Sequence, residues 1–253
     1  MLSLHTQEDM HVHSTFSDGR DSPSMNVVAA ELRGLRRLGC VDHVRRDSTY
    51  VPEFAAHIAA LREQTSLQLY VGVEAKLLDD RGTLDLPKPA LLRGVDFVYA
   101  ADHQLPLANG CLDVRESRRR LESGRLTPAN VIEALHDATV GAVQLAGPRV
   151  IVAHLFSLLP KLNIDERQVR TWVVESLGDA LVSYDAMIEI DERWACPSPR
   201  VIATLMSRGV EVLFSSDAHT SDAIGRYEYA VEAMSQAQNM LRPTRSDLPR
   251  VQA

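Results

Sequence analysis

The stretch His11-Val12-His13-Ser14-Thr15-Phe16-Ser17-Asp18-Gly19 sets three metal-ligating side chains within a few residues, directly behind a short apolar run. Side chains alternate along a strand, so histidines at i and i+2 leave the same face and can grip one cation together. Asp18 follows in a turn that Gly19 helps to close, where it reaches the same pocket or a neighbouring metal. A His-x-His pair arises often by chance. This one gains weight because further His, Asp and Glu residues fall at later strand ends.

At 253 residues, 45% hydrophobic and 24% charged, the chain suits a globular protein with one sizeable core, and a single α/β barrel commonly has this length. No apolar run approaches the ~20 residues that cross a bilayer. The start, MLSLHTQEDM, has neither the basic opening nor the apolar stretch of a secretory leader. Cys40, Cys111 and Cys196 are odd in number, far apart and without a CxxC pair. Neither a disulfide framework nor a thiolate zinc site is expected, and a cytoplasmic protein is. A net charge of -7 argues against nucleic-acid binding, which draws on a basic surface. A small phosphorylated anion remains a suitable partner, because bound cations dominate the local field.

Short β-like runs alternate with helical patterns, without a repeat or linker between them. Strands are predicted over Asp9–His13, Gly39–His43, Leu67–Glu74, Val95–Ala101, Arg149–His154, Ala186–Ile190 and Glu211–Ser216. Helices are predicted over Ser24–Arg37, Pro52–Gln64, Pro128–Gly141, Glu166–Leu181, Pro199–Arg208 and Ser221–Gln238. Prolines 52, 128 and 199 near helix starts, and Gly141 and Gly209 near helix ends, set these boundaries. The alternation predicts parallel strands with helices outside. About seven strands and no glycine-rich phosphate fingerprint favour a closed barrel over an open nucleotide-binding sheet.

The chemistry-bearing residues fall at the ends of these strands: Asp42-His43, Glu74, Asp102-His103, His154 and Asp217-Ala-His219. In a barrel of parallel strands those ends converge on one rim, where active sites lie. Six of the nine histidines fall at this rim, leaving His5, His57 and His136 elsewhere. Taken singly, each has a structural reading: His154 as a hydrogen-bonded core histidine, Asp42 and Asp102 as caps of the turns that follow, Glu74 as a solvated group. Taken together, so many ligands on one rim would be an untenable crowd of charges and desolvated imidazoles unless cations were bound.

In order and spacing, HVHSTFSDG at 11–19, VDH at 41–43, GVE at 72–74, ADH at 101–103, AHL at 153–155 and SSDAH at 215–219 resemble the motifs of the PHP (polymerase and histidinol phosphatase) family of metal-dependent phosphoesterases. The resemblance runs from Asp9 to Gly225. It implies an α/β fold, a distorted (β/α)7 TIM-like barrel, in a single domain over 1–253, with a core over about 9–240 and a draping tail at 241–253. It also implies a trinuclear metal centre: His11, His13, Glu74 and Asp217 around one ion, Glu74 bridging to a second held by His103 and His154, and Asp18, His43 and His219 around a third. Family members carry His or Asp at the position of Asp18. Where the family commonly has His-Pro, Leu155 follows His154.

Imidazole and carboxylate without thiolate suit two to three divalent ions of zinc, manganese or iron. A carboxylate bridge such as Glu74 would hold two cations about 3.5–4 Å apart, with a hydroxide between them to attack phosphorus. Glu74, Asp217 and His219 are the expected catalytic residues, and Asp42 and Asp102 are placed to orient ligands. Substrate phosphate calls for further cations: Arg45, Arg193 and Arg226 are favoured by position, with Arg46 and Lys76 close by. The Arg115-Glu-Ser-Arg118-Arg119-Arg120 run lies in an insertion, Leu105–Pro128, and reads as a lid or, preferably, as a solvated helix face.

The expected activity is hydrolysis of a phosphomonoester of a small metabolite by a histidinol-phosphatase-like enzyme. The alternatives are a phosphodiesterase or exonuclease on nucleotides, an amidohydrolase, whose barrels also open with His-x-His, and a noncatalytic metal-stabilised domain. No nucleic-acid or membrane partner is expected. Substrate identity and oligomeric state stay open at this level.

Overall fold

In the computed structural model, which describes residues 5–146 and 149–242, seven parallel strands form one sheet curled into a nearly closed barrel. In chain order the strands are β1 (Glu8–Val12), β2 (Arg37–Val44), β3 (Gln68–Lys76), β4 (Phe97–Ala101), β5 (Leu105–Leu107), β6 (Gly110–Leu112), β7 (Val150–Ala153), β8 (Met187–Asp191) and β9 (Val212–Ser215). The barrel order is β1-β2-β3-β4-β7-β8-β9, while β5 and β6 form a separate antiparallel hairpin. The ends meet at the rim: His13 N–H donates to the Ala218 carbonyl (2.8 Å) and Ala218 N–H to that of His11 (3.3 Å).

Helices α1 (Pro23–Leu32), α2 (Val51–Arg62), α3 (Val114–Glu122), α4 (Pro128–Ala146), α5 (Leu158–Lys161), α6 (Thr171–Ser183), α7 (Pro199–Ser207) and α8 (Tyr229–Met240) accompany the strands. Strands covered on both faces read as unbroken apolar runs, as Val150-Ile-Val-Ala153 does, with all four residues buried. Inside the barrel, Met10, Val41, Tyr99, Ala101, Ile151, Ala153 and Leu213 pack across five strands. Gly72 makes room for this cluster: a Cβ there would sit 2.8 Å from both the Tyr99 ring and Val41. The Tyr99 hydroxyl donates to the Met10 carbonyl, and its ring lies 4.8 Å from that of His11. Tyr99 thus joins the apolar filling of the barrel to the rim.

The seven barrel strands match the expected ones to within a residue or two at each end, whereas several helices differ. The helix expected over Ser24–Arg37 stops at Leu32, because Arg36 and Arg37 donate their N–H groups to the Gln7 carbonyl (2.7 and 3.2 Å) and Arg37 begins β2. Glu166–Leu181 divides into a 3-10 turn, Glu166–Gln168, and α6, with Arg170 extended between them. Ser221–Gln238 likewise divides, since the Glu192 carboxylate accepts from the N–H groups of Glu228, Tyr229 and Ala230 and starts α8 afresh. The insertion holds the β5–β6 hairpin and α3. Of the expected tail, residues from 243 onward lie outside the described residues.

Gly141 does not end its helix, as expected; α4 runs on to Ala146. The glycine is there for close approach, because a Cβ would lie 2.1 Å from the Arg81 carbonyl oxygen. Overpacking against backbone that cannot yield typically costs about 1–3 kcal/mol. Gly141→Ala is therefore expected to lower the unfolding free energy by about that amount, read from urea denaturation. An unchanged midpoint would contradict this packing.

Candidate metal centre

The C-terminal rim of the barrel gathers every expected ligand around Glu74, which β3 presents in register between His43 of β2 and Tyr99 of β4. Its two oxygens divide the histidines. Oε1 lies 3.0 Å from His103 Nε2 and 3.1 Å from His154 Nε2. Oε2 lies 2.8 Å from His43 Nδ1 and 3.5 Å from Nε2 of both His11 and His13. Asp217 Oδ1 is 3.1 Å from His13 Nε2 and 3.5 Å from His219 Nδ1. Asp18 Oδ2 sits 3.3 Å from His219 Nε2 and 3.5 Å from His43 Nε2.

Four convergent groups of donor atoms follow from this geometry among the described residues: His11, His13 and Asp217; His43, Glu74 and His103; His13, Asp18, His43 and His219; and, deeper, His11, Glu189 and Asp191. The first three overlap the expected sets, and His11, His13 and His43 are each shared between two groups. Burial opposes a charge on Glu74, yet His11, His103 and His154 hold its carboxyl well below the usual range. Burial drives His13 down to about 4 despite the Asp217 carboxylate beside it. Among the described residues, His11 Nε2 and both ring nitrogens of His13 are buried without a hydrogen-bond partner. Each such group costs about 1–3 kcal/mol. A cation between His11 Nε2 and His13 Nε2, which both lie 3.5 Å from Glu74 Oε2, would satisfy these two together.

Behind these side chains stands a layer of buried acids. Asp102 accepts from Ser157 Oγ (2.8 Å) and lies 3.1 Å from His154 Nδ1, the orienting role expected of it. Asp42 acts one step further back: it accepts from Ser14 N–H (3.0 Å), Ser14 Oγ (2.6 Å) and Ser17 Oγ (2.5 Å), and so fixes the loop from His13 to Asp18. Burial lifts Asp42 to about 6 in spite of these donors. Two rim residues bear left-handed backbone, His154 (φ 31°) and Asp217 (φ 48°), a conformation that costs about 1–3 kcal/mol outside glycine and concentrates at functional sites. Leu155, in the place of the family proline, is buried in the same turn.

The rim opens into a cavity of about 600 Å³ lined by Phe16, Asp18, His43, Arg45, Tyr50, Lys76, Asp85, His103, Arg193, Trp194 and His219, among others. Arg45 and Arg193, two of the three expected phosphate-binding arginines, share this cavity. Arg226 lines an adjoining one, of about 390 Å³, whose walls also include Arg193, Asp217 and His219. Lys76 Nζ donates to the neutral Gln104 amide oxygen (3.2 Å). The arginine run on α3 does not line the cavity: Arg119 and Arg120 pair with Glu116, and Arg118 Nε donates to the Lys161 carbonyl (2.7 Å). A solvated helix face describes it, and a lid does not.

Sequence reasoning missed Glu189, Asp191 and Trp194. Glu189 Oε2 lies 3.0 Å from His11 Nδ1, and its Oε1 accepts from His154 N–H (2.8 Å). Asp191 accepts from Trp194 N–H (2.7 Å). Burial, with Glu189 and Asp217 beside it, pushes the Asp191 carboxyl well above the usual range. A signal existed: Met187-Ile-Glu-Ile-Asp191 puts two acids at alternate positions of a strand otherwise apolar at its centre.

No model of a known protein family matches the chain. Among curated relatives, probable phosphatases of Thermoanaerobacter sp. strain X514 and Thermoanaerobacter pseudethanolicus are each 24% identical over 244 residues, covering 92% of this chain and 84% of theirs. Among solved structures, the candidate histidinol phosphatase hisK of Listeria monocytogenes superposes with a TM-score of 0.65 at 14% identity, over 87% of this chain and 97% of that one. The likeness to hisK is one of fold. Barrel, motif order and relatives agree with the resemblance to the PHP-type phosphoesterases.

Removing Glu189 would leave His11 Nδ1 and the His154 N–H buried and unpaired. Glu189→Ala is expected to lower the unfolding free energy by about 3–5 kcal/mol, the range for breaking a buried charged pair. Chemical denaturation followed by circular dichroism checks this, and a loss well under 1 kcal/mol, the level of an ordinary surface change, would contradict the pairing.

Proposed function

We propose that the chain is a metal-dependent phosphatase of the PHP type that hydrolyses a phosphomonoester of a small metabolite. The observation that carries this reading is the Glu74 carboxylate, whose two oxygens face separate sets of imidazoles. That arrangement suits one carboxylate shared between two cations. The names of the Thermoanaerobacter relatives and of hisK supply the phosphatase class.

The residues fit divalent ions of zinc, manganese or iron, because the donors are nitrogen and oxygen and several are buried without partners. His11, His13, Glu74 and Asp217 would hold one ion. Glu74, His103 and His154 would hold a second, and Asp18, His43 and His219 a third. When bound, such ions would lower the pKa of water toward about 7 and neutralise phosphoryl oxygens. In this reading Glu74, Asp217 and His219 are catalytic by keeping that charge against the phosphoryl group.

The rest of the work falls to the chain itself. Arg45 and Arg193, on the cavity wall, take the outer phosphate oxygens, since guanidinium binds them in a planar fork. Arg226 does so from the adjoining cavity. Lys76, whose polar partner is an uncharged amide, adds a point charge on the Glu74 side. A cavity of about 600 Å³ fits a small metabolite. A reducing cytoplasm suits the three free thiols. Among the described residues, no helix is long and apolar enough to cross a membrane.

Elemental analysis of the purified protein, joined to a phosphate-release screen over small phosphomonoesters, tests the proposal. Metal content near three ions per chain and release from a monoester are expected, with weaker activity on bis(p-nitrophenyl) phosphate. A chelator should abolish release, and added manganese or zinc should restore it. His13→Ala and Asp217→Ala should each stay folded, lose metal and lower turnover on the order of 100-fold or more, since even residues behind ligands contribute 10- to 100-fold. Full turnover in either variant would overturn the ligand assignment.

A further inference from the structure

We propose that Trp194 is a positioning residue for Asp217, its indole N–H deciding which carboxylate oxygen faces the metal centre. The inference rests on the reading of this rim as a metal site. Trp194 Nε1 donates to Asp217 Oδ2 at 2.9 Å, and Arg193 Nη1 stands 3.4 Å from the same oxygen. The other oxygen, Oδ1, is the one that lies 3.1 Å from His13 Nε2. Carboxylate torsions are broad and nearly two-fold, so without a donor on one oxygen Asp217 would present either. An indole N–H only donates and cannot itself ligate. It therefore reserves Oδ2 and leaves Oδ1 to a cation.

The ring is held for this task. Trp194 N–H is anchored on Asp191 Oδ1 (2.7 Å). Lys161 Nζ lies 3.5 Å from the ring centroid, a cation–π contact, and is itself 3.5 Å from Ser157 Oγ. Ser157 Oγ donates to Asp102, the acid behind His154. The ring also meets His154 edge-on, with centroids 6.4 Å apart. One side chain thus braces Asp217 after β9 and His154 after β7. At 37% exposure, Trp194 is not retained as core filling.

The chain has two tryptophans, and the second, Trp172, is exposed on α6. In a Trp172→Phe background, emission from the full chain reports Trp194 alone. Titrating metal-stripped protein with zinc or manganese should change that emission and saturate with metal uptake. Trp194→Phe keeps a ring and removes the N–H. Its affinity for zinc, measured by competition with a chromophoric chelator, should fall about 10- to 100-fold. Its metal-stripped melting temperature should stay at the parental value, whereas a merely structural role would lower it. Lys161→Met should weaken zinc binding by a smaller factor.

Wild-type zinc affinity in Trp194→Phe, or emission indifferent to metal, would overturn the proposal while leaving the metal centre standing. If the unaltered protein takes up no metal, the metal-centre reading itself fails. If Trp194→Phe does not fold, the emission titration and Lys161→Met decide the matter, since both keep the indole.

Discussion

A carboxylate buried at the mouth of a barrel is tenable only if its charge is answered, and Glu74 is answered by five imidazoles. Those imidazoles come from four separate chain segments, His11 and His13 sharing β1 and its end. The barrel exists in the form that allows this meeting. Its closing hydrogen bonds run between the His11–His13 segment and Ala218, next to Asp217 and His219. Closing the sheet and assembling the site are therefore one event, and a barrel open at that seam would part His13 from Asp217.

Outside the innermost side chains, the fold spends its polar groups on orientation. Glu189 backs His11, Asp102 backs His154, and Asp42 ties down the loop between His13 and Asp18. Buried acids are expensive unless matched by donors, and most of these accept two or more hydrogen bonds. Such partners behind the ligands set the ring orientation and basicity of metal sites. The left-handed backbone at His154 and Asp217 fits the same account, because strain of this kind persists only where surroundings over-determine it.

Charge is arranged in layers. The interior of the rim is acid and imidazole, while Arg45, Lys76 and Arg193 stand farther out on the cavity wall. A chain of net charge -7 thus still places three basic side chains on the wall of one cleft, facing its carboxylates. The overall balance describes the whole surface, whereas recognition of an anion depends on the field inside one cleft.

Strand positions and the donors at their ends were legible in the sequence, because both are local. Apolar runs mark buried strands, and a His-x-His or an acid at a strand end keeps its place in any parallel barrel. Helix ends were less legible: α1 is cut short by the Gln7 carbonyl, α8 is started by Glu192, and Gly141 is demanded by Arg81, all partners distant along the chain. The roles of Glu189, Asp191 and Trp194 were hidden for the same reason. By itself the sequence determined which residues could bind a cation and in what order the strands carry them. Only the tertiary structure decided which oxygen of Glu74 meets which histidine, and what stands behind each, because those choices depend on side chains brought together by barrel closure.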